Sequence, residues 1–174
     1  LAVSNLLYGM EIDHYVSLTM DGVALLNDLV DGVPVEVLDD FSGIDDSLVQ
    51  GETVTLKGQQ ALTYVRSRGG MEDSTNLHRM ERERQYLAAL QEQLASKAQS
   101  DEGFALEALL QLNEYLVSDC TVEQLSALGD NLANYQVSDI LTTQGQAQVG
   151  EEFMEFTVDE AALQQLVMDV FYEP

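Results

Sequence analysis

Residues 21–38, DGVALLNDLVDGVPVEVL, decide how the chain is read. Val23, Leu25, Leu26, Leu29 and Val30 recur at helical spacing behind Asp21, which can cap a helix. Gly32 stops that helix, and Val33-Pro34-Val35-Glu36-Val37-Leu38 follows as a strand. Pro34 removes a backbone donor, so the strand should begin at a sheet margin. Helix and strand are thus joined with almost no connecting loop. Upstream, Leu1 to Tyr8 reads as the end of an amphipathic helix stopped by Gly9, and Tyr15 to Met20 as a short strand. Downstream, Glu52 to Leu56 alternates like a strand, and Gln59 to Val65 forms a short helix delivering Arg66 and Arg68.

Gly69-Gly70 breaks that segment, and Ser74 or Thr75 can cap a long helix over Asn76 to Ala98. Its apolar stripe is Leu77, Met80, Leu87, Leu90 and Leu94, with Arg79, Arg82, Glu83 and Tyr86 on a different face. Helices follow around Phe104–Leu116 and Val122–Tyr135, the second capped by Thr121 or by Ser118 with Asp119. Strands near Asp139–Thr143 and Glu152–Val158 come next. A last helix, Asp159 to Phe171, turns Ala162, Leu163, Leu166, Val167 and Val170 to the core. Alternating strands and helices predict an α/β fold: a mixed sheet covered by helices, an α/β/α sandwich-like arrangement in one domain over residues 1–174.

Charge narrows the function. The 174 residues hold 31 Asp and Glu against seven Lys and Arg, a formal net charge of -24. Such a surface repels nucleic-acid phosphates, which argues against a transcription factor. Yet Arg66, Arg68, Arg79, Arg82 and Arg84 crowd into one short stretch. Crowded guanidiniums repel one another, and their planar fork matches phosphate or carboxylate oxygens in pairs, so the cluster points to an anion site. A long helix beginning among them adds backbone N–H groups and a positive end. The competing reading, that Glu72, Asp73, Glu81 and Glu83 merely neutralise these arginines, stays open at this point.

Other chemistry finds less support. The acidic loop with Asp39, Asp40, Asp45 and Asp46 lacks the glycine and closing glutamate of a calcium-binding EF-hand loop. His14 and His78 are the two histidines, and neither has a second His or a Cys nearby in sequence, so metal ligands are not expected in this chain. Cys120 is the one cysteine, which excludes an internal disulfide. There is no Gly-rich phosphate loop and no nucleophile elbow. No apolar run approaches the roughly 18–20 residues that cross a bilayer. The chain begins at Leu1 rather than Met and inside a helical pattern, which reads as an excised fragment.

Residues 61–87, ALTYVRSRGGMEDSTNLHRMERERQYL, resemble the signature of the LytR-CpsA-Psr family of bacterial cell-envelope proteins. Asp31-Gly32-Val33-Pro34-Val35 is similar to that family's helix-to-strand turn. Gln50-Gly51-Glu52 through Gly58-Gln59-Gln60-Ala61-Leu62 resembles its approach to the arginines, and the closing stretch to Phe171-Tyr172 its last strand and helix. The resemblance implies an extracytoplasmic protein at a bacterial membrane or cell wall, anchored by an N-terminal membrane helix absent from this chain. It implies transfer of teichoic acid, capsular polysaccharide or a similar anionic glycopolymer from a polyprenyl pyrophosphate carrier to peptidoglycan. By the same resemblance Arg66, Arg68, Arg79 and Arg82 hold the pyrophosphate, with Arg82 and Arg84 the weaker matches. Magnesium is implied as cofactor, its acidic ligands expected upstream of Leu1 with the family's early strands.

Two positions depart from the family pattern. Asn76 stands where many members carry an acid, so either Asp73 takes the place of that carboxylate or the role lies elsewhere. Glu83 stands where Gln is common. These departures keep a second reading in play, a non-catalytic module that binds a polyisoprenoid phosphate or an anionic glycan.

Overall fold

The computed structural model describes residues 2–67, 76–132, 140–150 and 154–172. In chain order its elements are α1 (Ala2–Leu6), β1 (Val16–Leu18), α2 (Met20–Leu29), β2 (Val33–Glu36) and β3 (Thr53–Leu56). Then come α3 (Gly58–Arg66), α4 (Asn76–Ser100), α5 (Phe104–Leu112), β4 (Leu116–Ser118) and α6 (Val122–Leu132). The chain closes with β5 (Gly145–Val149), β6 (Met154–Val158) and α7 (Glu160–Phe171). The mixed α/β class is as expected. Among the described residues, however, the strands pair as three separate antiparallel ribbons, β1 with β4, β2 with β3 and β5 with β6. Contacts divide the chain into two compact units, His14–Asp139 and the combination of Leu1–Asp13 with Ile140–Pro174.

The larger unit is organised by the ribbon β2–β3, in which Val33 faces Leu56 and Val35 faces Val54. Strand β2 alternates, with Val33 and Val35 buried and Pro34 and Glu36 exposed. Period-two alternation of this kind is what a half-covered strand requires. Helices α2, α3 and α4 supply the covering layer. Val30, Val33, Val37, Phe41, Leu48, Leu56, Tyr64, Tyr86 and Leu90 form one continuous buried cluster. Beside it a cavity of about 120 Å³ lies between Leu26, Leu94, Phe104, Ala108, Leu112 and Leu125.

A polar relay crosses this core. Asn27, fully buried on α2, donates through Nδ2 to the Leu56 carbonyl at 2.9 Å and accepts from the Tyr86 hydroxyl at 3.2 Å. One amide therefore ties α2 to β3 and α4 while leaving few buried polar atoms unsatisfied. Before it, Thr19 rather than Asp21 caps α2, its side chain accepting from the Gly22 N–H. Asp21 instead sits in the first turn, where its charge complements the helix end.

Several boundaries moved for physical reasons. The helix expected over Phe104–Leu116 stops at Leu112, and Leu116–Ser118 becomes strand β4 because β1 offers it a backbone partner. Strand β5 lies at Gly145–Val149 rather than near residues 139–143, opposite β6 with Ala147 facing Phe156. The caps proposed at Ser74 and Thr75, and the helix end proposed at Tyr135, lie outside the described residues. In the smaller unit Asp159 caps α7 by accepting from the Ala161 and Ala162 N–H groups, and Leu163 and Val167 are its buried positions.

The largest revision concerns α4. Met80 and Leu87, expected in its apolar seam, are 41% and 47% exposed, whereas Arg82 and Tyr86 are buried in line with Leu90. Arg82, Tyr86 and Leu90 are spaced four apart, so they share one face. The helix is turned so that an arginine enters the core.

The turn between α2 and β2 depends on Gly32, whose φ is +90°. A Cβ there would lie 2.6 Å from the Leu56 carbonyl oxygen. We expect Gly32→Ala to lower stability by about 2 kcal/mol or more, from left-handed backbone strain plus that clash. Urea unfolding followed by circular dichroism checks this, and an unchanged midpoint would refute it.

Candidate anion site at the α3–α4 turn

Helix α3 ends at Arg66, with Ser67 leaving the helix in an extended conformation. Helix α4 carries His78, Arg79 and Arg82 in its opening turns. One contact brings the two ends together: the Arg82 Nη2 donates to the Ser67 carbonyl at 2.5 Å. The backbone next to Arg66 is thereby fixed against the beginning of α4. Arg68 and Asp73 lie in the segment between, outside the described residues.

The three described arginines differ sharply in setting. Arg82 is 1% exposed, and its Nε lies 3.3 Å from Asp39 Oδ2. Its guanidinium also stands 5.2 Å from the Phe41 ring centre and 5.9 Å from that of Tyr64, within cation–π range. Burial pulls its pKa below the usual arginine range, while the neighbouring charge of Asp39 acts in the opposite sense. Arg79 is partly exposed and pairs through Nε with Glu83 at 3.4 Å, one helical turn on. Arg66 is exposed, and among the described residues it has no acidic partner.

Magnitudes rank these arginines. Removing one member of a buried ion pair costs about 3–5 kcal/mol, because the other charge is stranded. An exposed pair four residues apart contributes only about 0.3–0.5 kcal/mol. Arg79 can therefore exchange Glu83 for another anion at little cost, whereas Arg82 is committed to Asp39 and Ser67. The four arginines expected to hold an anion are thus split: Arg66 is exposed, Arg79 is partly exposed, Arg82 is buried, and Arg68 lies outside the described residues.

Sequence reading missed two participants. Asp39, in the loop after β2, is buried; His78 Nδ1 lies 2.9 Å from its Oδ1. No spacing rule links residues so far apart; only the burial of Arg82 would have called for an acid. The neighbouring loop carboxylates engage their own loop, Asp40 accepting from the Ser42 N–H and Asp45 from the Ser47 N–H. Magnesium was expected from ligands outside the chain. The described carboxylates here do not fit it: Asp39 faces His78 and Arg82, Glu83 faces Arg79, and no three-ligand group of His, Cys, Asp or Glu forms among them.

Tyr64 completes the wall. It stacks on Phe41 with ring centres 5.5 Å apart, and its hydroxyl reaches the Gln85 Oε1 at 2.6 Å and the Glu36 carbonyl at 3.1 Å. Val35, Val37 and Leu90 are core residues.

These features define a mixed α/β protein in which arginines gather at the end of α3 and the start of α4. Over residues 2–170 the chain matches the family model LytR_cpsA_psr, and it belongs to the LytR-CpsA-Psr family. It is 40% identical over 85 residues to the polyisoprenyl-teichoic acid–peptidoglycan teichoic acid transferase TagU of Halalkalibacterium halodurans. That alignment covers 48% of this chain and 27% of the relative, so the match spans about a quarter of the longer protein. The crystal structure of Bacillus subtilis TagV superposes with a TM-score of 0.70 at 24% identity, covering 96% of this chain and 66% of the other. A structure of TagT bound to LI-WTA gives 0.74 at 19% identity, covering 96% and 62%. At these identities the superpositions show a shared fold.

Asp39→Ala should lower stability by about 3 kcal/mol, against less than about 0.5 kcal/mol for Glu83→Ala. Urea midpoints of the two variants measure the difference, and equal costs would remove Asp39 from its buried role.

Burial pushes Tyr64 and Tyr86 up from 10.0 to about 12. Because the folded pKa is raised, this contribution to stability is intact below about pH 10 and is lost as pH rises towards 12. Ultraviolet titration should show two tyrosines ionising late. Ionisation of these two at the ordinary tyrosine value of about 10 would contradict the burial.

Proposed function

We propose that this chain belongs to the catalytic domain of an enzyme that transfers an anionic glycopolymer from a polyprenyl pyrophosphate carrier to peptidoglycan. Its place is the outer face of a bacterial membrane, where such carriers and peptidoglycan meet. The single observation that carries the reading is that the Arg82–Ser67 bond joins the end of α3, where Arg66 is exposed, to the opening turns of α4, where Arg79 is partly exposed. In a chain of net charge -24, these cations have either no described acid or one weak partner. Family membership supplies the reaction class, and the similarity to a teichoic acid transferase supplies the polymer type.

In this mechanism a hydroxyl of the acceptor sugar attacks the phosphorus that bears the glycopolymer. A new oxygen–phosphorus bond forms, the bridging oxygen–phosphorus bond breaks, and the polyprenyl monophosphate leaves with the bonding pair. The hydroxyl proton passes to a base or to water. Negative charge grows on the bridging and non-bridging oxygens, and guanidiniums aimed at them lower the barrier by electrostatic stabilisation. Arg66, Arg68 and Arg79 take that part here, with Arg82 setting their spacing from below. Arg79 stands within one turn of the start of α4, so the positive end of the helix acts on the same anion. Asp73 is the carboxylate proposed to accept the proton. Asn76, an amide where relatives commonly carry an acid, favours a second reading in which the site binds the carrier lipid without turnover.

Geranyl pyrophosphate is a suitable probe for the intact protein. Arg66→Ala and Arg79→Ala should each weaken its binding by about tenfold or more, the worth of one charge-assisted hydrogen bond. Arg84→Ala, whose Nε sits 3.4 Å from the Met80 carbonyl, should bind as wild type. Equal affinity in all four proteins overturns the clamp. Transfer from a pyrophosphate-linked sugar separates the enzyme from the binding module.

A further inference from the structure

Far along the chain from the arginines, the ribbon β1–β4 assembles a second constellation. Its register pairs Val16 with Ser118 and Leu18 with Leu116. Beyond the ladder the pairing continues through side chains. The Tyr15 N–H donates to Asp119 Oδ1 at 2.9 Å, Ser118 Oγ donates to the Tyr15 carbonyl at 2.6 Å, and the Cys120 N–H donates to Ser118 Oγ at 3.0 Å. These bonds fix the chain on both sides of the gap.

The result brings His14 to Asp119 and Cys120, a neighbouring pair far away in sequence. His14 Nδ1 is 3.5 Å from Asp119 Oδ1, and Cys120 Sγ is 3.9 Å from the same oxygen. One ligand atom from each of the three lies within 4.8 Å of the others. Around a tetrahedral zinc ion with bonds of 2.0–2.3 Å, ligand atoms stand roughly 3.3–3.8 Å apart, so small side-chain rotations close the set. Among the described residues no other group of three such side chains approaches this spacing.

We propose that His14, Asp119 and Cys120 form a binding site for a borderline-soft divalent cation of the zinc type, with the fourth position left to water. The donor set selects the ion. A thiolate and an imidazole suit zinc and its first-row neighbours, whereas magnesium and calcium want oxygen alone. The Tyr15 N–H on the carboxylate orients a ligand in the way outer hydrogen bonds do in metal sites. A bound ion clips the chain before β1 to the turn after β4, adding a cross-link at the edge of a ribbon three residues long on each side. All three side chains reach solvent, so the ion can enter without unfolding.

The test uses the intact protein, stripped with a chelator, and zinc competed against a chromophoric chelator. Wild type should bind one ion per chain. His14→Ala and Cys120→Ser should each weaken that binding at least tenfold, and Glu92→Gln, an exposed acid elsewhere, should not. Cobalt substitution gives an independent readout: an intense near-ultraviolet thiolate-to-cobalt band in wild type that vanishes in Cys120→Ser. Zinc should also slow alkylation of Cys120, whereas magnesium should not. Unchanged affinity in both ligand variants, or cobalt binding without a thiolate band, overturns the site and assigns the binding to the diffuse acidic surface.

Discussion

The pairing of Arg82 with Asp39 inside the core is the constraint from which the rest of the site follows. A guanidinium can be buried only if its charge and its donors are met. Asp39 meets the charge, the Ser67 carbonyl takes a donor, and the rings of Phe41 and Tyr64 lie within cation–π range. These partners come from two places: the loop after β2 supplies Asp39 and Phe41, and α3 and its end supply Tyr64 and Ser67. Meeting the needs of one side chain therefore fixes the loop, the end of α3 and the start of α4 at once. Lysine would not serve, since a single ammonium cannot engage an acid, a carbonyl and two rings in one plane.

That arrangement also resolves the tension of crowding like charges. Three exposed arginines around one turn would repel each other and swing apart. Sinking one of them beneath the surface with its own carboxylate neutralises it locally and leaves it useful as a spacer. The buried pairing then holds the end of α3, which carries Arg66, against the opening turns of α4, which carry Arg79. Glu83 plays the opposite part. Its pairing with Arg79, one helical turn away and partly exposed, is weak and costs little to break.

The core of this architecture was legible because its signals are local. The helix–glycine–strand run 21–38 carries its own spacing, its own stop and its own alternation, and it folds as read apart from the identity of the cap. Asp159 and the helix after it were equally plain. What sequence hid were non-local choices. Strand β4 exists because β1 is its partner, and residues 116–118 do not announce a strand by themselves. Helix α4 was assigned the wrong buried face because hydrophobicity scales place Met80 and Leu87 inside and Arg82 outside. The missing information was Asp39, whose burial cannot be inferred from an acidic loop in which its neighbours are solvated.

The same limit applies to His14. Judged by spacing along the chain it has no companion of metal-binding type, and only antiparallel pairing of two very short strands supplies Asp119 and Cys120. Two regions of this protein thus draw their chemistry from contacts between residues distant in sequence, but they differ in what holds them. The end of α3 is held against the start of α4 by the buried Arg82, so that junction resists change. The β1–β4 edge is held by a few exposed hydrogen bonds, each worth about 1 kcal/mol, and is correspondingly open to reinforcement. A coordinate bond at that edge stabilises what packing leaves weak, which is the physical reason a cation site belongs there rather than in the closed core.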